Sequence, residues 1–262
     1  METVVHPTAI VHPRAQLSEG VQVGPYSIVG ENVSIGKGTK IGSSVLLEGW
    51  VKIGRNCIIQ KGVVIGTPAQ DVRYKGERSF VEIGDGNIIR EYVTIHRGTK
   101  KDSATRIGNS NFIMAYSHIA HNCWIGDGVV IANVGTLAGY VRVEDKVVIG
   151  GLSAVHQYVR IGAYSIIGGC SKVIKDIPPY TKADGHPTTL WGLNTVGLRR
   201  ANFPLSTRNS LKRAYKILFR SNLNTHQALK RIKNELEGIS EIDYLCNFIQ
   251  NSKRGICKEK LK

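Results

Sequence analysis

Four of the eight histidines, His96, His118, His121 and His156, fall in the middle of the chain. An imidazole titrates near neutrality and can take a proton from a hydroxyl in a transition state. Eighteen residues beyond His121 stands Gly139, and eighteen beyond that stands Gln157. In a chain that coils every eighteen residues, these three would share one column. An imidazole, a backbone N–H unshielded by any side chain, and an amide would then line one face. That set suits a general base, a donor to a developing oxyanion and a group that positions substrate. His118 and His121 also form HxxH, which invites a zinc reading; on strands, unlike helices, positions i and i+3 need not face one site, so the metal reading is the weaker one. His6 and His12, each before a proline, and His226 in the tail read as structural or exposed.

The coil that would build this column is legible. Every sixth residue from Val11 to Ile65, from Ile83 to Ile95 and from Ile107 to Val173 is Ile, Leu or Val, 25 positions in all. Six residues are too few for a helical repeat and fit one short strand plus a turn, with the aliphatic side chain inward. Three such sides close an 18-residue coil; stacked at about 4.8 Å, about eight coils give a prism on the order of 40 Å long. The chain therefore reads as a mainly β protein, a parallel β-helix of hexapeptide repeats over residues 1–177. Gly often follows the inward residue, as at Gly24, Gly36 and Gly108, which we read as permitting positive φ at a tight corner. Residues 67–80 and 97–106 are polar and charged, keep the phase of six, and read as loops leaving the prism. Loops on a rigid scaffold are good places for function. The repeat stops before Pro178-Pro179, which should end strand pairing. Beyond it the apolar spacing turns helical (Leu211, Ala214, Tyr215, Leu218; Ala228, Ile232, Leu236; Ile242, Leu245, Ile249), so residues 178–262 read as a linker and a helical domain covering the open end of the prism.

Composition excludes several classes. Across 262 residues, 42% hydrophobic and 21% charged residues describe an ordinary globular chain. No stretch approaches the roughly 18 apolar residues of a membrane span, and the first residues lack a signal-peptide pattern. Five cysteines, widely spread and without CxxC spacing, suit reduced thiols in the cytoplasm. No GxxxxGKS/T phosphate loop occurs. The formal charge is +15, and from residue 178 onward 16 Lys and Arg face 6 Asp and Glu. Such a patch calls for an acidic partner. Its cations are not interleaved with an aromatic stacking platform, which argues against nucleic acid.

Several segments, taken in order, carry a family resemblance: Gln70-Asp71-Val72-Arg73-Tyr74, Thr94-Ile95-His96-Arg97-Gly98-Thr99, Ser117-His118-Ile119-Ala120-His121-Asn122-Cys123, Thr136-Leu137-Ala138-Gly139, Ala154-Val155-His156-Gln157, Gly169-Cys170-Ser171, Gly192-Leu193-Asn194 and Arg199-Arg200. Across essentially its whole length the chain resembles the hexapeptide-repeat UDP-N-acetylglucosamine O-acyltransferases that begin lipid A synthesis. The resemblance implies a left-handed β-helix and a cytoplasmic homotrimer with sites between adjacent prisms. It implies transfer of a (R)-3-hydroxyacyl group from acyl carrier protein to the sugar 3-OH, with no separate cofactor, bound metal or membrane insertion. His121 would be the base, oriented by Asn122, and the Gly139 N–H the oxyanion donor. Asp71, Arg73, His96, His118, His156 and Gln157 would contact sugar and acyl chain. Gly169 would sit where acyl length is limited. Asn194, Arg199 and Arg200 would face the uridine and diphosphate. The basic tail would dock the acidic carrier protein.

Three positions depart from the family pattern. Asn122 stands where many relatives have Asp, Tyr140 where a His often follows LAG, and Val196 where an acidic residue lies near the nucleotide. These leave open a 3-amino sugar acceptor and an amide product on the same scaffold. A zinc-dependent trimer of the γ-carbonic-anhydrase type is the remoter alternative.

Overall fold

The computed structural model describes residues 2–259. Among these residues, short strands, mostly two to four residues long, fall in turn on three walls. Wall A, starting at Val4–Val5, has 11 strands; wall B, starting at Ile10–Val11, has 9; wall C, starting at Gln16–Leu17, has 8. Each strand of the prism pairs in parallel with the strand one coil later, as in Gln22↔Lys40 and Ile28↔Leu46. The result is a left-handed parallel β-helix. The inward residues of the hexads form one continuous core, and Leu47, Ile65, Ile95, Ile119, Ile131 and Leu137 have no exposed surface. Between coils the corner backbones bond directly: Gly24 N–H donates to Ile41 O at 2.9 Å, and Gly108 N–H to Ile125 O at 2.7 Å.

The two loops preserve the phase because each adds whole hexads. Across the first, partners are 30 residues apart (Ile53↔Ile83, Val64↔Thr94). Across the second they are 24 apart (Ile83↔Ile107, Thr94↔His118). From His118↔Thr136 onward the interval is 18 again.

The role expected for the corner glycines is corrected. Most of those following the inward residue, among them Gly24, Gly36 and Gly108, do not have positive φ; Gly66, at φ 89°, does. They are needed because stacked corners nearly touch: a Cβ on Gly24 would lie 2.6 Å from Gly42 O, and one on Gly36 2.6 Å from Gly54 O. Left-handed backbone falls two residues further on and is carried mostly by larger residues, including Tyr26, Tyr92, Tyr116, Asn122, Tyr140, Tyr158 and Tyr164.

A second correction concerns Pro178-Pro179. The hexad ends there, but wall A does not. Thr181–Gly185 pairs in parallel with Ile166–Ile167, and Thr188–Leu193 folds back on it as an antiparallel strand. Both prolines precede the strand, so no ladder donor is lost. Four helices follow: α1 (Thr195–Arg200), α2 (Leu205–Phe219), α3 (Thr225–Glu235) and α4 (Ser240–Gln250). A capping box between Asn224 and Gln227 starts α3. Leu198, Leu211, Ala214, Ile232, Leu245 and Phe248 close a second core. The helices dock on the end of the prism. Tyr244 donates to the Glu144 carboxylate and accepts from Ala163 N–H at 2.9 Å, and Arg160 lies 4.3 Å from the Phe248 ring centroid. The chain then returns to the prism, with Cys257 buried in the main core.

Candidate active site

Wall B ends at the corner that carries His121. Its strand His118–Ile119 pairs with Thr94–Ile95 below and Thr136–Leu137 above. The corners stack in the same register: Tyr140 N–H donates to His121 O at 3.0 Å, and Tyr158 N–H to Gly139 O at 3.1 Å. Residues 121, 139 and 157 therefore form one column. A Cβ built on Gly139 would meet His121 Cε1 at 2.2 Å and Nε2 at 2.5 Å, so the imidazole lies directly on the glycine. Among the described residues the Gly139 N–H donates to no protein acceptor. Corner N–H groups are often free in this fold; the one at 139 belongs to a residue with no side chain of its own to shield it.

His121 is 4% exposed. Its Nδ1 lies 3.1 Å from Asn122 Oδ1. That oxygen also accepts from Thr99 N–H at 3.0 Å and from the Thr99 hydroxyl at 2.9 Å. A backbone N–H can only donate, so the Asn122 atom facing it is the oxygen, and His121 Nδ1 must supply a proton to it. The remaining lone pair is on Nε2. Asn122 itself sits at φ 60°, a conformation Asn tolerates well, and its N–H donates to Thr105 Oγ1 at 2.8 Å.

On the other side of the ring, Nε2 is 3.9 Å from Asp71 Oδ2. Asp71 comes from the first loop. Arg73 grips its two oxygens from Nε at 3.1 Å and Nη2 at 3.0 Å, and Arg73 N–H adds a bond at 2.9 Å. The guanidinium bonds, then that backbone bond, hold the Asp71 carboxyl down to about 2, so it is ionised near neutrality. The loop is tied to the prism by Arg97, which donates to Tyr74 Oη at 3.0 Å and Gly66 O at 3.1 Å. Its guanidinium also faces the Trp50 and Tyr74 rings, 5.8 Å from each centroid.

His96 and His118 stand beside this corner with ring centroids 5.2 Å apart. His96 Nδ1 lies 2.8 Å from Pro68 O, and His118 Nδ1 lies 2.8 Å from Thr94 Oγ1. Burial pushes His118 down to about 4, helped by the charges of His96 and His121, and burial likewise lowers His96. Both are neutral at pH 7. His156 is exposed, with Nδ1 3.2 Å from Gln157 O. Asp71, Arg73, Thr99, Lys100, Tyr140 and Tyr158 line a pocket of ≈ 350 Å³ next to the corner.

One chain thus brings Asp71, Arg73, His96, His118, His121, Asn122, Gly139, His156 and Gln157 to a single edge of the prism. Gly169 lies at the other edge of wall B, exposed, at the corner between walls A and B. Asn194 caps α1: its Oδ1 accepts from Gly197 N–H at 3.1 Å and its Nδ2 donates to Tyr164 O at 2.9 Å. Arg199 and Arg200 close the same helix, exposed. These four are not part of the histidine corner within one chain. Thr99 was not recognised in the sequence as part of the site, since it lies on a loop outside the 18-residue column. Tyr140 and Tyr158, 18 apart and stacked at 4.9 Å, were in principle readable from that spacing. Among the described residues no group of three or more His, Cys, Asp or Glu is placed to hold a metal ion, and no helix is long and apolar enough to cross a membrane.

Residues 176–257 match the family described as UDP N-acetylglucosamine O-acyltransferase, domain 2, and residues 104–135 match the bacterial transferase hexapeptide family. The chain is 53% identical over 255 residues to the acyl-(acyl-carrier-protein)–UDP-N-acetylglucosamine O-acyltransferase of Thermodesulfovibrio yellowstonii, covering 97% of this chain and 99% of that one. Among solved structures, the UDP-N-acetylglucosamine acyltransferase of Francisella novicida superposes with a TM-score of 0.93 at 35% identity, covering 98% and 94% of the two chains. That of Campylobacter jejuni gives 0.91 at 35% identity, covering 98% and 100%.

Proposed function

The chain belongs to the UDP-N-acetylglucosamine O-acyltransferase family and is an acyltransferase, and we propose that it moves a (R)-3-hydroxyacyl group from acyl carrier protein to the 3-hydroxyl of UDP-N-acetylglucosamine. The observation that carries this reading is the contact of the His121 ring with Gly139. A base and an oxyanion donor must act on two oxygens that meet at one carbon, and this corner holds a lone pair and a free N–H side by side.

In the proposed reaction, His121 Nε2 takes the proton of the sugar hydroxyl as its oxygen attacks the thioester carbonyl. The carbonyl oxygen becomes an oxyanion and accepts from Gly139 N–H. Collapse breaks the C–S bond, the ester forms, and the proton on His121 passes to the leaving thiolate of the carrier's phosphopantetheine arm. Asn122 is neutral, so it orients the imidazole without stabilising the imidazolium by charge. That charge comes from Asp71, on the Nε2 side. Neutral His96 gives its Nδ1 proton to Pro68 O, so its free Nε2 can accept from a substrate hydroxyl, whereas His118, with a hydroxyl at Nδ1, can donate or accept at Nε2.

We further assign the working enzyme as a homotrimer in the cytoplasm, with each site in the cleft between two prisms. Gly169 lies at the opposite edge of wall B and Asn194, Arg199 and Arg200 lie at the ends of α1, away from this corner in their own chain, and a second chain would supply them. The excess of cations beyond residue 178 fits docking of an acidic carrier protein, by an attraction that salt weakens.

The test is an assay with carrier-bound 3-hydroxyacyl chains of graded length, against UDP-N-acetylglucosamine and its 3-amino analogue. An alkali-labile ester on the hydroxyl sugar supports the proposal. Turnover with the amino sugar alone, giving an amide, would replace the acceptor; no transfer to either would remove the reading.

A further inference from the structure

The hydrogen bonds behind His121 continue beyond Asn122. The Thr99 hydroxyl has one proton, and it goes to Asn122 Oδ1 at 2.9 Å. Tyr140 Oη is 2.9 Å from Thr99 Oγ1. With the threonine proton already committed, the tyrosine must be the donor of that bond. All the protons therefore run one way, from Tyr140 to Thr99 to Asn122, and the amide oxygen receives three donors when His121 Nδ1–H is included. Thr99 is 9% exposed, and the Tyr140 ring meets the His121 ring edge-on with centroids 5.4 Å apart. Each bond in such a chain polarises the next.

We propose that Thr99 and Tyr140 are positioning residues for the acyl transfer: together they hold the Asn122 oxygen against His121 Nδ1 and so keep the free lone pair on Nε2. The physical need follows from the asparagine at 122. An aspartate beside the imidazole offers an acceptor whichever oxygen faces it. An asparagine offers one only when its amide is turned the right way; turned over, it presents an NH₂ and favours the wrong tautomer. The Thr99 N–H selects the correct turn, and the two hydroxyls secure it. This inference rests on His121 being the base, and its test reads the tautomer separately from turnover.

The experiment uses the full-length protein labelled with ¹⁵N-histidine, with the His121 signals identified by their loss in His121→Gln. The ring nitrogens report the tautomer, and kcat and KM are measured alongside. In the wild type His121 should carry its proton on Nδ1. In Thr99→Val the Nδ1–H signal should weaken and an Nε2–H form appear, with kcat down about tenfold and KM within about twofold. Thr99→Ser, which keeps the hydroxyl, should restore both. Tyr140→Phe should lower kcat less than Thr99→Val, and the double variant should be no worse than Thr99→Val alone, since the two act through one bond chain. Asn122→Asp should rescue Thr99→Val. Should Thr99→Val fail to fold, Tyr140→Phe, which removes one buried-side hydroxyl and nothing else, carries the test through the same tautomer and kcat readings. Wild-type His121 found with its proton on Nε2, or a fall in kcat with the tautomer unchanged, overturns the proposal. A His121→Ala variant that still turned over would remove the base assignment while leaving the tautomer result readable on its own.

Discussion

The imidazole of His121 occupies the space that a side chain at position 139 would fill: a Cβ there would be 2.2 Å from Cε1. The backbone at 139 does not have positive φ, so alanine is conformationally allowed, and the three atoms nearest its Cβ all belong to the ring. Gly139→Ala should therefore fold normally and lose activity, because the ring must swing out of the column. We expect kcat down by about 10²-fold or more, with a melting temperature close to wild type. Full activity in a folded Gly139→Ala protein would show that the contact is incidental.

His118 and His96 give the protein an acid sensitivity of defined sign. Both are held below the ordinary histidine value by burial, His118 to about 4. Between about 6.5 and that value the unfolded chain binds a proton at 118 that the native chain does not. Stability is thus fully present above about 6.5 and falls as pH drops toward 4. A melting-temperature series from pH 7 to 4 should slope less steeply for His118→Gln than for the wild type. Parallel slopes would mean that His118 titrates normally.

Asp71 runs on a different window. Its carboxyl is held at about 2 by Arg73, so the stabilisation it contributes is present above the unfolded value of about 3.9 and is lost as pH falls through 2. The gap in melting temperature between wild type and Arg73→Met should close over that interval and stay constant from pH 5 to 7. Because the pair is also the charge nearest Nε2, Asp71→Asn should lower kcat at neutral pH by about tenfold or more. Rates of Asp71→Asn equal to wild type would place the imidazolium's electrostatic partner elsewhere.

Arg97 fixes the loop that delivers Asp71. It bonds Tyr74 Oη and Gly66 O and lies against two rings. Lysine cannot reproduce a planar fork at such a site. Arg97→Lys should speed tryptic cleavage at Arg73 and Lys75 and raise the KM for the sugar nucleotide, leaving the prism's melting temperature nearly unchanged. Unaltered cleavage would mean that the loop holds itself.

How far the sequence discloses this site depends on how regular the chain is locally. The phase of six survives both loops because they insert whole hexads, so the inward face was readable from Val11 to Val173. Within the unbroken run from Ile107 onward, a spacing of 18 became a spatial neighbour, and His121, Gly139 and Gln157 fell into one column. Thr99 was illegible for the opposite reason: it reaches Asn122 from a loop, 23 residues away, where no periodicity applies. The corner glycines were found but misread, since conformational freedom and close approach both select glycine; only the distance from Gly24 to Gly42 separates them. Pro178-Pro179 ended the hexad as expected, yet a stop in a repeat is not a stop in a sheet, and the hairpin on wall A escaped notice.

The most direct measurement is acyl transfer from carrier-bound 3-hydroxyacyl chains to UDP-N-acetylglucosamine by His121→Ala, in protein whose melting temperature matches the wild type. Removing the base should lower kcat/KM by about 10³-fold or more across pH 6 to 9. Transfer at a comparable rate by that variant would contradict the account, whatever the standing of the fold.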